Sequence, residues 1–172
     1  MIISRLPEHQ SSCGGTSQSR EARSPDAPID PAVSSGDFSR VVEVRKLCDQ
    51  ERYHLLTNHF HPAYNYSFPS VLHGNQRRCF QYNWLLKYNG LVYSEIENGG
   101  YCKYCILFDE ASPRSVPSVL TTLPLTNFQK ASEKLREHFT GIGSNSAKKY
   151  HLAAVERAEN FKAVMEKKAV AY

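Results

Sequence analysis

The sequence predicts a small α+β domain, a β-hairpin packed with about four helices, behind a disordered N-terminal tail. Three features point there. From Leu91 to Cys105 the apolar residues recur at the period of two that marks a strand, and Glu97-Asn98-Gly99-Gly100 interrupts them with residues suited to a tight turn. Several stretches around that hairpin repeat instead at the three-to-four residue spacing of amphipathic helices. Residues 1–36 hold eight Ser, four Pro and three Gly with no periodic apolar pattern, so they cannot bury enough surface to offset the entropy of ordering.

Taken in order, residues 37–47 read as a helical turn or an extended arm. Asp49 is the expected cap of a helix that carries Tyr53, Leu56 and Phe60 on one face and closes before Pro62. Residues 61–76, rich in Pro, Asn, Ser and aromatics, read as an extended segment crossing another surface. Phe80, Trp84 and Tyr88 fall four apart with Leu85 beside them, which predicts a short helix stopped by Asn89-Gly90, and its stripe reads as core in preference to a base-stacking platform. The hairpin follows, its second strand ending in a knuckle at Cys102 and Cys105, after which Ile106, Leu107 and Phe108 are read as strand returning to the core.

Residues 109–127, with three prolines, read as a surface loop. Thr126 or Asn127 is the expected cap of a helix with Phe128 and Leu135 inward and His138 in its last turn. Gly141 and Gly143 break it. A last helix then carries His151 in its first turns, with Leu152, Val155, Phe161 and Val164 or Met165 on its apolar side. The expected core is Phe80, Trp84, Leu85, Tyr93, Phe108, Phe128 and Leu135. The chain divides into a tail (1–36), an N-terminal helix and arm (37–76) and a metal-binding domain (77–168).

The formal net charge of +4 is uneven: −1 over residues 1–36, 0 over 37–76 and +5 over 77–172, so the positive excess lies with the cysteine pair. That suits a polyanionic partner or a solvated basic surface. Five cysteines, no apolar segment after Met1 and no run long enough to span a bilayer argue against a secreted disulfide scaffold and a membrane protein. No Gly-rich phosphate loop, nucleophile elbow or paired carboxylates in an apolar pocket is present, so no enzyme and no small-molecule substrate are expected.

In a reducing compartment a Cys-x-x-Cys pair signals metal or redox chemistry. A structural zinc site takes four thiolate or imidazole ligands at tetrahedral angles, and Cys102, Cys105, His138 and His151 offer a Cys2His2 set. Two spacings are unusual: 32 residues separate Cys105 from His138, and 12 separate the histidines. Cys79 is a substitute ligand for one histidine, and Cys13 and Cys48 read as free thiols. A redox pair should open a helix after a strand in a βαβ frame; the expected strand after Cys105 and the proline-rich loop do not provide it. His59-x-His61 and His73 lack a cysteine or carboxylate partner at ligand spacing and read as solvent-exposed histidines.

The succession ERYHLLTNHFHP, NYSFP, RRCFQYNWLLKYNGLVYS, YCKYCILF, LREH and a later His resembles the TTF-type zinc finger region of hAT-family transposases and of host proteins descended from them, over roughly residues 48–165. The resemblance implies zinc held by Cys102, Cys105 and His138, with the longer segment before His151 a departure from the usual spacing, and a role in binding DNA. It also implies that this chain, ending at Tyr172, is an isolated finger without the transposase catalytic core. Phosphate contacts are then expected from Arg77, Arg78, Lys103, Lys130, Lys134, Arg136, Lys148 and Lys149, together with a nuclear location. The other readings are a zinc-stabilised protein-interaction module and a vestigial fragment.

Overall fold

The computed structural model describes residues 36–43, 47–108, 118–142 and 145–170. The expected tail, apart from Gly36, and residues 109–117 of the expected 109–127 loop lie outside the described residues. The chain folds as mixed α+β, in the order α1 (Phe38–Glu43), α2 (Asp49–Thr57), β1 (Val71–His73), β2 (Gln76–Arg78), α3 (Tyr82–Lys87), β3 (Leu91–Ser94), β4 (Gly99–Cys102), α4 (Lys103–Phe108), α5 (Ala131–Thr140) and α6 (Asn145–Val170). No described helix is long and apolar enough to cross a membrane.

The central hairpin pairs Leu91 with Cys102, Val92 with Tyr101, Tyr93 with Gly100 and Ser94 with Gly99, and every one of these residues is buried. Both faces are covered, so the period of two read from the sequence does not separate a buried face from an exposed one. Its outer edge is closed by residues 118–125. Gly100 and Leu125 exchange backbone hydrogen bonds of 3.2 and 2.8 Å, and the Cys102 amide donates to Leu120 O at 2.7 Å. Gly100 is small for a reason visible here: a Cβ would come within 3.0 Å of the Phe80 ring.

Aromatic rings fill the core beneath. Phe68, Phe80 and Tyr93 meet with centroids 4.9–5.2 Å apart, in the range where offset and edge-on pairs add to the burial energy of about 1.5–3 kcal/mol per large side chain. Phe38, Val41 and Leu55 belong to the same buried cluster. Asp37 holds that N-terminal segment in place. Its Oδ1 accepts from Ser39 N (2.9 Å) and Ser39 Oγ (2.8 Å) at the start of α1, while Oδ2 accepts from Glu95 N (3.0 Å) in the hairpin turn.

Several elements differ from their sequence expectation. The cap of α2 is Cys48, one residue before Asp49: its sulfur accepts from Glu51 N and Glu51 Oε2 accepts from Cys48 N, a capping box made with a thiol. Residues 71–78 form a short hairpin where an extended segment to residue 76 is expected, because Gly74, at φ +62°, opens a two-residue Gly-Asn turn. Phe80 and Tyr88 flank the short helix α3 and do not ride on it, since the helix covers only Tyr82–Lys87. Residues 106–108 are helix, not strand.

The cap of α5 is also displaced. Asn127 Oδ1 accepts from Gln129 N and Lys130 N in the turn before the helix, whose own N-cap is Lys130. On α6 the buried residues are His151, Ala154 and Ala158, with Phe161 continuing the stripe against Phe108 at 5.4 Å. Leu152, expected on the apolar side, is 52% exposed; of the alternatives Val164 and Met165, the first is 51% exposed and the second half-buried. The fully covered residues of that stripe are the small Ala154 and Ala158, which the pattern of large apolar residues does not mark.

Candidate metal centre

Cys102 ends β4 and Cys105 lies in the first turn of α4, so strand and helix together turn both sulfurs the same way. The tight entry to this corner depends on Gly90. It has φ +89°, its carbonyl accepts from Lys103 N at 2.9 Å, and an added Cβ would fall 2.4 Å from the Tyr104 ring. His138 comes from the last turn of α5 and His151 from the second turn of α6, helices that pack together after Gly141 reverses the chain in a left-handed C-cap.

The four side chains converge. Their candidate ligand atoms all lie within 4.8 Å of one another. Cys102 Sγ is 3.4 Å from His151 Nδ1, Cys105 Sγ is 3.6 Å from the same nitrogen, and Cys105 Sγ is 3.4 Å from His138 Nε2. Cys102, Cys105 and His151 are nearly inaccessible, at 0%, 4% and 5% exposure. Rings enclose the group: Phe139 lies 4.8 Å from His151 and 5.2 Å from Tyr88, and Tyr104 lies 6.3 Å from His151. Such a buried Cys2His2 group could hold a metal ion.

Burial pushes the Cys102 thiol pKa up, but hydrogen bonding with Cys105, His138 and His151 outweighs it, and the net effect is well below the ordinary thiol value. The thiolate is the form that binds metal. Redox chemistry fits less well, for a reason other than the one read from sequence. The pair does stand at the start of a helix, yet thiol exchange needs access for an attacking thiolate, and neither sulfur has it.

The remaining candidates are scattered. Among the described residues no second metal-binding group forms. His61 is exposed, but His59 and His73 are half-buried, contrary to the reading of all three as solvent-exposed. Burial, then the charges of Lys103 and His61, lowers the His59 pKa to about 4. His73 Nε2 lies 3.4 Å from the Phe128 amide, which ties β1 to the approach of α5. Cys79 is partly buried and supplies no ligand atom to the cluster; Gln81 Nε2 lies 3.4 Å from its sulfur. Cys48 is the helix cap, and Cys13 lies outside the described residues.

Of the expected phosphate contacts, Lys130, Arg136, Lys148 and Lys149 are exposed, and Lys134 pairs with Glu137 at 3.0 Å. Lys103 is half-buried with its ammonium on Leu56 O at 3.2 Å, where it caps the carbonyl end of α2. Arg77 and Arg78 lie on β2 and line a groove of about 370 Å³ with Gln81, Trp84, Phe128 and Gln129. Trp84, expected wholly in the core, is only partly buried. Comparisons with protein-family models, with curated proteins and with solved structures gave no significant match.

Proposed function

We propose that this chain is a zinc-dependent DNA-binding module in which Cys102, Cys105, His138 and His151 hold one zinc ion. The observation that carries the metal reading is His151 Nδ1, placed at 3.4 and 3.6 Å from two different sulfurs. One ring nitrogen carries either a single lone pair or a single N–H and cannot serve two sulfurs well at once. Zn–S and Zn–N bonds of about 2.3 and 2.0–2.1 Å at tetrahedral angles put sulfur and nitrogen about 3.6 Å apart, which matches. Zinc would supply folding energy by tying the hairpin corner to α5 and α6, and no chemical step is assigned to it.

Support for DNA as the partner is the positive excess of residues 77–172 together with its exposure on α5, α6 and β2. Ser132 lines the β2 groove and Arg136 stands one turn further along α5, so the groove and this exposed cation share one face of the helix. A nuclear location follows from this reading. Binding of a labelled DNA duplex should weaken steeply with salt, and the triple variant Arg136→Ala, Lys148→Ala, Lys149→Ala should lower the salt slope by about 0.9 for each phosphate that is no longer neutralised. An unchanged affinity and slope in that variant would remove α5 and α6 from the interface.

A protein partner is the second reading, favoured by one observation. Val119, Leu123, Pro124 and Leu125 line an apolar groove of about 380 Å³ rimmed by Lys130 and Lys134. If zinc-loaded protein shows no salt-dependent DNA binding, this reading takes its place.

A further inference from the structure

The β2 groove has features that a phosphate track alone does not need. Its rim is cationic and its floor aromatic. No carboxylate lines it, and among the described residues neither Arg77 nor Arg78 has an acidic partner. Arg77 Nη1 donates to Ser70 Oγ at 3.3 Å and Arg78 Nη2 to Gln76 Oε1 at 2.6 Å, while Arg78 Nε is buried with no acceptor. Both guanidiniums are thus positioned by neutral groups, with no carboxylate beside them. Trp84 is braced by Phe80, with centroids 5.2 Å apart, and by Phe128 at 6.4 Å, yet remains partly exposed in the groove.

We propose that this groove seats one unstacked nucleotide of a DNA strand, its phosphate on Arg77 and Arg78 and its base against Trp84. The proposal rests on the DNA-binding reading and adds the face and the form of DNA recognised. The volume of about 370 Å³ falls in the range of small-ligand clefts, roughly 300–1,000 Å³. Planar guanidiniums match phosphate oxygens in pairs, and an indole offers a stacking face to any base. Gln81 and Gln129, both exposed at the rim, carry donors and acceptors for a base edge. A duplex interior hides the faces of its bases, so a strand end or an unpaired step is the DNA form that fits.

Trp84 is the chain's only tryptophan, so its fluorescence reports on this groove alone. The zinc-loaded full chain should be titrated with a fluorescein-labelled duplex carrying a short single-stranded overhang and with the same duplex blunt-ended, following anisotropy for binding and tryptophan emission for stacking. The expected result is roughly tenfold tighter binding of the overhang DNA with quenched emission, and loss of both the preference and the quenching in Arg77→Ala/Arg78→Ala. The single variant Arg77→Ala, at an exposed position, should reduce the preference without disturbing the fold. Equal binding of both DNAs with unchanged emission would overturn the groove assignment and leave the DNA reading standing. Binding of neither would remove the DNA reading and the proposal with it. Quenching by a free deoxynucleoside monophosphate at the concentrations effective for the strand would overturn the strand as occupant in favour of a mononucleotide.

Discussion

At the scale of single residues, the candidate centre depends on positions that are not ligands. Gly90 sits at φ +89° with Tyr104 against it, and Tyr104 in turn covers His151. Gly90→Ala should therefore cost about 1–3 kcal/mol from backbone strain and, by displacing Tyr104, weaken metal retention; thermal unfolding and competition with a zinc chelator measure the two effects separately. Asp37 gives a pH dependence. Burial pushes its pKa up, but hydrogen bonds from Ser94, Ser39 and Ile96 outweigh that and lower it overall. A lowered folded pKa means the unfolded chain binds protons first, so the contribution of Asp37 is present above the ordinary carboxylate pKa of about 4 and is lost as pH falls below it. The stability gap between wild type and Asp37→Asn, followed by denaturant unfolding, should be constant near neutrality and shrink through that acidic range. The four candidate ligands were legible because Cys-x-x-Cys and two helix-borne histidines are defined by residue type. The neighbours that enclose them, Tyr88, Tyr104 and Phe139, carry no such mark, since any aromatic of similar size reads the same in one dimension.

At the scale of elements, the sequence was most informative where one period dominated. The β3–β4 hairpin stands where the sequence predicts one, but its turn is residues 95–98, two residues earlier than expected, and Gly99 and Gly100, read as turn, are the first residues of β4. It was least informative for α6, where both faces carry apolar residues and only the docking of α4 decides which is covered. The buried pair Ala154 and Ala158 and the exposed Leu152 give a direct check. Ala154→Leu should cost about 1–3 kcal/mol by overpacking the helix contact, and Leu152→Ala should change stability by less than about 0.5 kcal/mol, both read by denaturant unfolding. The reverse order would mean that α6 presents the face its large residues predicted. The helix after Cys102 was missed because Ile106-Leu107-Phe108 is a short apolar run, which periodicity cannot assign between helix and strand. The β1–β2 hairpin was missed because its strands are three residues long, and only the Gly74-Asn75 turn announced it.

For the whole molecule, the long stretch between Cys105 and His138 is no obstacle to one site. Residues 118–125 are used to close the edge of the hairpin, and α5 then returns to the corner where the cysteines lie. Segments distant in sequence meet there because Gly141 folds α5 and α6 back on each other, a tertiary outcome that ligand spacing alone does not reveal. Metal and fold should then be coupled: removing zinc should release α5 and α6 from the hairpin corner while leaving the Phe68, Phe80 and Tyr93 cluster least affected, a difference that amide hydrogen exchange with and without chelator would resolve. The most direct test of the centre is the zinc content of the purified chain, refolded with zinc under reducing conditions, for the wild type and for Cys102→Ser, Cys105→Ser, His138→Ala and His151→Ala. One zinc per chain in the wild type, reduced or lost in each variant, is the expected result. A wild type without zinc, or variants that all retain it fully, would contradict a Cys2His2 zinc centre at this corner of the fold.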